Sequence, residues 1–285
     1  MPAARSWIFL ALGICGLWYA CVWFLSRGPA PRFPSAFEIL LGFVTNFFDT
    51  LGIGSFAPTT AMFKFRHMVP DEQIPGTLNV GHTPPTILEA FLFIAFVEVD
   101  SLTLILMMAA AMCGAWLGAG IVGRWPRQKV QIGMGAALLV AAFFFVMANL
   151  NISLVPAGDA LTLRGAKLWT GAAGSFSIGA LMTLGIGNFA PSMVLVSLLG
   201  MNPKAAFPIM MGSGALLMPA ASVRFIRLKS YSPRPALGLA LGGLPGVLIA
   251  ALIVKSLPLT WIRWLVVVAV TYAAISMLRS AAARR

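Results

Sequence analysis

Nine consecutive residues of this chain occur twice with a single difference. Thr50-Leu51-Gly52-Ile53-Gly54-Ser55-Phe56-Ala57-Pro58 returns as Thr183-Leu184-Gly185-Ile186-Gly187-Asn188-Phe189-Ala190-Pro191, at an offset of 133. The likeness continues at the same offset, with Pro75 matching Pro208 and Gly81 matching Gly214. After a slip to 132, Gly114 matches Gly246, Ile121-Val122 matches Ile253-Val254, and Pro126 matches Pro258. Hydrophobic bias alone does not reproduce eight of nine residues at a fixed spacing. The chain is a duplicated unit. The expected organisation is an N-terminal helix and linker over 1–35, repeat 1 over 36–150, a connecting loop over 151–167 and repeat 2 over 168–285.

Each copy of the motif interrupts an over-long apolar stretch, 36–66 in the first half and 168–200 in the second. Further apolar runs of ordinary spanning length lie at 74–96, 101–123, 130–150, 205–226, 234–254 and 260–279. Across the chain 59% of residues are hydrophobic and 10% charged, and the mean hydropathy is +0.90. A soluble domain averages about 45–50% apolar and ~25% charged residues. Soluble enzymes, disordered tails and disulfide-stapled modules are thereby excluded, leaving an all-α polytopic membrane protein. The first apolar run, Trp7–Leu25, exceeds a secretory core in length and has no small-residue cleavage site after it. It reads as a retained transmembrane helix.

Two glycines followed by a proline break a helix, since each Gly disfavours it by about 1 kcal/mol and Pro removes a backbone donor. In lipid such a break persists only where protein packs around it or a polar cavity accepts it. A matched pair of Gly/Pro-interrupted segments is the sequence pointer to a transporter binding site. A proline kink in an ordinary packed helix is the alternative. If each interrupted segment enters and leaves the membrane on one face, 14 of the 20 Lys and Arg share one side, as the positive-inside rule requires. Each half then makes three crossings and one hairpin, which turns the second half upside down: an inverted repeat with the N-terminus outside. The net charge of +12 thus reports orientation in the inner membrane. It does not point to nucleic acid.

Ionisable side chains inside apolar segments are functional candidates. Asp49 directly precedes the first motif, and Met182 stands in its place in the second. Asn46 lies one turn earlier, and Asn79, His82, Thr83 and Glu89 surround Pro84-Pro85 in the next segment. Asp49, His82 and Glu89 are candidates for proton coupling. Each also has a structural reading, as a helix cap, a satisfied core histidine or a side chain reaching an interface. For an anion, the candidate residues are Thr50, Gly52, Gly54, Ser55, Thr59 and Asn79 in the first half. In the second they are Thr183, Gly185, Gly187, Asn188, Ser192 and Ser213. Neutral donors beside a helix start bind an anion without burying a full opposite charge. Cys15, Cys21 and Cys113 form no C-x-x-C pattern, and two histidines without H-E-x-x-H offer no metal-ligand spacing. No metal and no cofactor is expected.

The glycine-rich L-G-I-G break with its proline opens each half. A small-residue helix follows, then Gly114-Ala-Trp-Leu-Gly118 and the basic-proline loop Arg124-Trp-Pro126-Arg127. In this combination the chain resembles the sulfite exporter TauE/SafE family of membrane permeases over most of 37–279. It departs from the common pattern at Ser55 and Asn188, where many members continue with glycine, and in Asp49 and the Asn79–Gly81–His82 cluster. The resemblance implies transport of sulfur-containing anions such as sulfite or organosulfonates, usually outward.

These readings converge on a secondary transporter of a small anion, bound at the two broken-helix motifs near the membrane midplane, and not on an enzyme. Its expected partners are that anion and the lipid bilayer, with a homodimer compatible with the Gly114-x-x-x-Gly118 helix face. A passive anion channel is the nearest alternative. A membrane enzyme or assembly factor using Asp49 and Glu89 is a more distant one. No G-x-x-x-x-G-K-[ST] motif is present for ATP hydrolysis.

Overall fold

A computed structural model describes residues 2–26, 33–51, 54–122, 127–150, 158–182, 189–256 and 259–282. Among them every named element is helical: α1 (Pro2–Leu25), α2 (Ala36–Thr50), α3 (Phe56–Phe65), α4 (Ile74–Phe96), α5 (Ser101–Val122), α6 (Arg127–Asn149), α7 (Ala166–Met182), α8 (Phe189–Leu198), α9 (Ala206–Arg227), α10 (Pro233–Ser256) and α11 (Leu259–Ala282). An isolated β-bridge joins Ala160 to Met201. Arg5–Leu25, Pro203–Arg227 and Pro233–Val254 are long and apolar enough to cross a membrane, and shorter apolar helical stretches occupy Ser101–Leu117 and Gln131–Val140. Trp7, Trp116, Trp169 and Trp261 are exposed on the outside of their helices. Bulky amphipathic rings in such positions suit a bilayer and its interface.

The chain divides into two compact units, Met1–Phe96 with Gly214–Lys255, and Val97–Ser213 with Ser256–Arg285. Each therefore combines segments from both sequence halves. In the first unit α10 lies directly on α2. A Cβ at Gly42 would meet the Cα of Leu239 at 2.6 Å, and one at Gly246 would meet the Phe43 carbonyl oxygen at 2.5 Å. Only glycine admits backbones this close. In the second unit α7 lies on α5 through Gly114, which faces the Phe176 carbonyl, and Gly179, which faces that of Ala111. The two crossings use corresponding positions. Gly114 and Phe176 are the repeat partners of Gly246 and Phe43, and Ala111 and Gly179 those of Gly243 and Asn46. The helix that opens one half thus packs on the second of the three long helices that follow the motif of the other.

Two local features fix the first unit further. Ser35 caps α2 and Glu38 returns the bond, a capping box in which Ser35 N–H donates to Glu38 Oε2 at 2.6 Å. Arg234, at the start of α10, pairs with the same carboxylate at 3.2 Å. In α4, Pro84 carries no N–H, so the carbonyl of Val80 one turn back loses its helical donor. The Tyr19 hydroxyl of α1 donates to that carbonyl at 2.7 Å, and both residues are buried. The N-terminal helix therefore completes a hydrogen bond that the proline removes. Phe9 stacks on Phe91 at 5.7 Å along the same α1–α4 contact.

Candidate functional site

Asn46, Asp49, Thr50, Ser55, Thr59, His82 and Glu89 converge on the contact of α2, α3 and α4. Asn46 Nδ2 donates to the carbonyl of Gly42 at 2.7 Å. That bond orients the amide, because a carbonyl only accepts, and it leaves Asn46 Oδ1 facing His82 Nδ1 at 2.9 Å. Nδ1 must therefore carry a hydrogen. On the other side of the ring, Nε2 lies 3.2 Å from the Thr59 hydroxyl, which also lies 2.7 Å from the carbonyl of Ser55. Phe56 stacks on the imidazole at 5.6 Å. Asn46, Thr59 and His82 are each fully buried.

Thr50 makes a second pair of contacts. Its hydroxyl is 2.8 Å from the Asn46 carbonyl and 2.7 Å from Glu89 Oε1. One hydroxyl hydrogen serves one of these acceptors at a time, and the same holds for Thr59 between Ser55 and His82. Glu89 is fully buried, and its Oε2 has no hydrogen-bond partner. An orphaned buried carboxyl oxygen is costly unless a proton or ligand answers it. Asp49 completes the set: it is partly buried, it accepts from the Ser55 hydroxyl at 2.6 Å, and it lies within electrostatic reach of Glu89.

Glycine permits this arrangement at two places. Gly54 has φ +88, a left-handed conformation between α2 and α3 that other residues rarely adopt. Gly243 of α10 lies so close that a Cβ would come within 2.5 Å of Asn46 Nδ2. Asn46, whose amide fixes the histidine, is the network residue the sequence reading did not place at the site. Its signal was an asparagine inside an apolar run, one turn before Asp49.

Other candidates fall elsewhere. Asn79 turns its amide back onto the Pro75 carbonyl of its own helix at 2.8 Å, outside the network around His82. Thr83 shares a 2.8 Å hydrogen bond with Ser222 of α9. In the second unit Ser192 is buried in α8, and the buried Ser213 donates to the Met210 carbonyl at 2.9 Å. Gly52, Thr183, Gly185, Gly187 and Asn188 lie outside the described residues. Among the described residues no three His, Cys, Asp or Glu side chains gather as a metal site.

No curated protein and no solved structure matches the chain. The family model described as sulfite exporter TauE/SafE matches residues 1–145 of the 285. The matched stretch spans more than half the chain and contains the whole network of Asn46, Asp49, Thr50, Ser55, Thr59, His82 and Glu89. The chain therefore belongs to the sulfite exporter TauE/SafE family, a family of membrane permeases.

Proposed function

We propose that this protein is a multi-pass secondary transporter of the bacterial inner membrane that moves a small sulfur-containing anion, such as sulfite or an organosulfonate. The observation that carries this reading is the start of α3. Ser55 stands at its N-cap without capping it, so first-turn N–H groups at the positive end of the helix dipole are left for a ligand. Glu89 Oε2, buried and unpartnered, belongs to the same α2–α3–α4 network. The anion is held at the Gly/Pro motifs near the membrane midplane, by Thr50, Gly52, Gly54, Ser55, Thr59 and Asn79 in the first half. Thr183, Gly185, Gly187, Asn188, Ser192 and Ser213 are the corresponding candidates in the second. Asp49, His82 and Glu89 are the groups through which protons couple to transport. The two halves form an inverted repeat, each opening on a helix broken at its motif, and the protein acts without cofactor or nucleic acid.

The test is flux in proteoliposomes loaded with sulfite, sulfoacetate or a carboxylate of matched size. Accumulation of the sulfur anion against its gradient when a pH gradient is imposed supports a transporter. Movement that never exceeds electrochemical equilibrium assigns a passive channel instead. Equal rates for sulfonate and carboxylate overturn the substrate class.

A further inference from the structure

A serine at an N-cap ordinarily accepts from the first turn of its own helix, and Ser55 does not. Its hydroxyl hydrogen goes to Asp49 Oδ2 at 2.6 Å. While Asp49 is a carboxylate this commitment is fixed, because a carboxylate only accepts. A proton placed on Oδ2, the oxygen that faces Ser55, reverses the bond: the O–H donates to Ser55 Oγ, and the hydrogen of Ser55 is freed for another acceptor beside the start of α3. The same proton acts on charge. Asp49 and Glu89 lie within electrostatic reach, and two ionised carboxylates near a helix start repel any anion that approaches it, most strongly in a low-dielectric interior.

We infer that the anion and a proton bind together, with Asp49 as the proton acceptor and Ser55 as the switch that converts protonation into a free donor for the anion. The protein is then a proton–anion cotransporter, in which both species cross in the same direction. This deepens the anion-transport reading and rests on it. The proton arrives from water on the loading side, resides on Asp49 Oδ2 and returns to water on the other side as the anion leaves. Ser55 keeps its own hydrogen throughout.

The charged groups around Asp49 are few. On α2 itself Glu38 sits at the far end, paired with Arg234 of α10. The one ionisable residue of α3 is Lys64, exposed in its last turn, and Lys255 lies at the end of α10. From α4 come Glu89, on Thr50, and His82, whose ring nitrogens face Asn46 and Thr59. Glu89 is thus the carboxyl that acts electrostatically on Asp49, and Ser55 hydrogen-bonds Asp49 at the helix start.

Binding calorimetry on the purified wild-type protein tests the inference, with sulfite, sulfoacetate and methanesulfonate as probes between pH 5 and 10. Methanesulfonate does not titrate there, so a proton taken up on its binding belongs to the protein. The expected result is uptake approaching one proton per anion, with affinity falling about tenfold per pH unit on the alkaline side. An affinity independent of pH, or proton release, overturns it. In Asp49→Asn nothing at this position titrates, so the pH dependence of affinity disappears. Ser55→Ala binds at least tenfold more weakly under acid conditions, where the freed hydroxyl acts. In proteoliposomes holding a pH-sensitive dye, inward methanesulfonate should acidify the lumen. Alkalinisation, or anion flux with no proton movement, overturns cotransport and leaves the anion reading standing. Failure of all three anions to bind overturns both.

Discussion

At the scale of single residues, the most consequential side chains compensate for what proline and glycine remove. Tyr19 supplies to Val80 the hydrogen bond that Pro84 cannot. Tyr19→Phe leaves a buried carbonyl unpaired and should destabilise the protein by about 1–3 kcal/mol, read as a lower midpoint of thermal unfolding in detergent. Gly54 presents a different case. A Cβ there would meet nothing within 4 Å, yet its φ of +88 is unfavourable for any side chain. Gly54→Ala should therefore cost about 1–2 kcal/mol through backbone strain alone. Gly54→Asn should be milder than Gly54→Val, because a short polar side chain tolerates the left-handed region. A thermal series in which Val equals Asn would contradict this account. Asp49, His82 and Glu89 were legible as single ionisable residues in apolar runs. Their partners were not, because hydrogen-bond geometry depends on which helix turns meet across 36 or 39 positions of sequence.

At the scale of elements, contact rests on glycines placed where one helix backbone touches another. Gly243→Leu would drive α10 off Asn46 and Pro85, and overpacking of this kind costs several kcal/mol when the opposing atoms are backbone or a buried amide. Gly179→Leu should do the same at the corresponding crossing of α7 on α5, where the Ala111 carbonyl stands in the way. Both variants should lose monodisperse protein on size-exclusion chromatography, whereas Gly133→Leu, with open space around it, should not. If Gly133→Leu failed equally, close helix approach would not be the cause. Apolar runs and the repeated motif were readable because hydropathy and proline placement act locally. Which helices pair was not readable. The glycines that decide it are scattered through sequences already rich in glycine, and only their facing partners distinguish Gly243 from Gly133.

At the scale of the whole molecule, the orientation of the two halves makes a prediction about labelling. Replace Cys15, Cys21 and Cys113, then introduce Glu98→Cys or Leu228→Cys, both at exposed positions. An inverted repeat requires that a membrane-impermeant thiol reagent reach these two sites from opposite sides of the bilayer. Labelling from one side would mean parallel halves. The interleaving of the two compact units has a consequence for biosynthesis. The unit that begins with Met1–Phe96 takes in Gly214–Lys255, so its first helices must wait while 159 further residues, counted from 96 to 255, are made. At about 5–20 residues per second that delay lasts roughly 8–30 s. During it Gly42 and the Asn46 amide of α2 stand without α10, whose Leu239 and Gly243 will close on them. Lipid, the insertion machinery or a chaperone has to hold that seam open. A ribosome that stops between the halves leaves behind not half a transporter but a sticky, unfinished one, marked for removal by the surface that α10 was meant to cover.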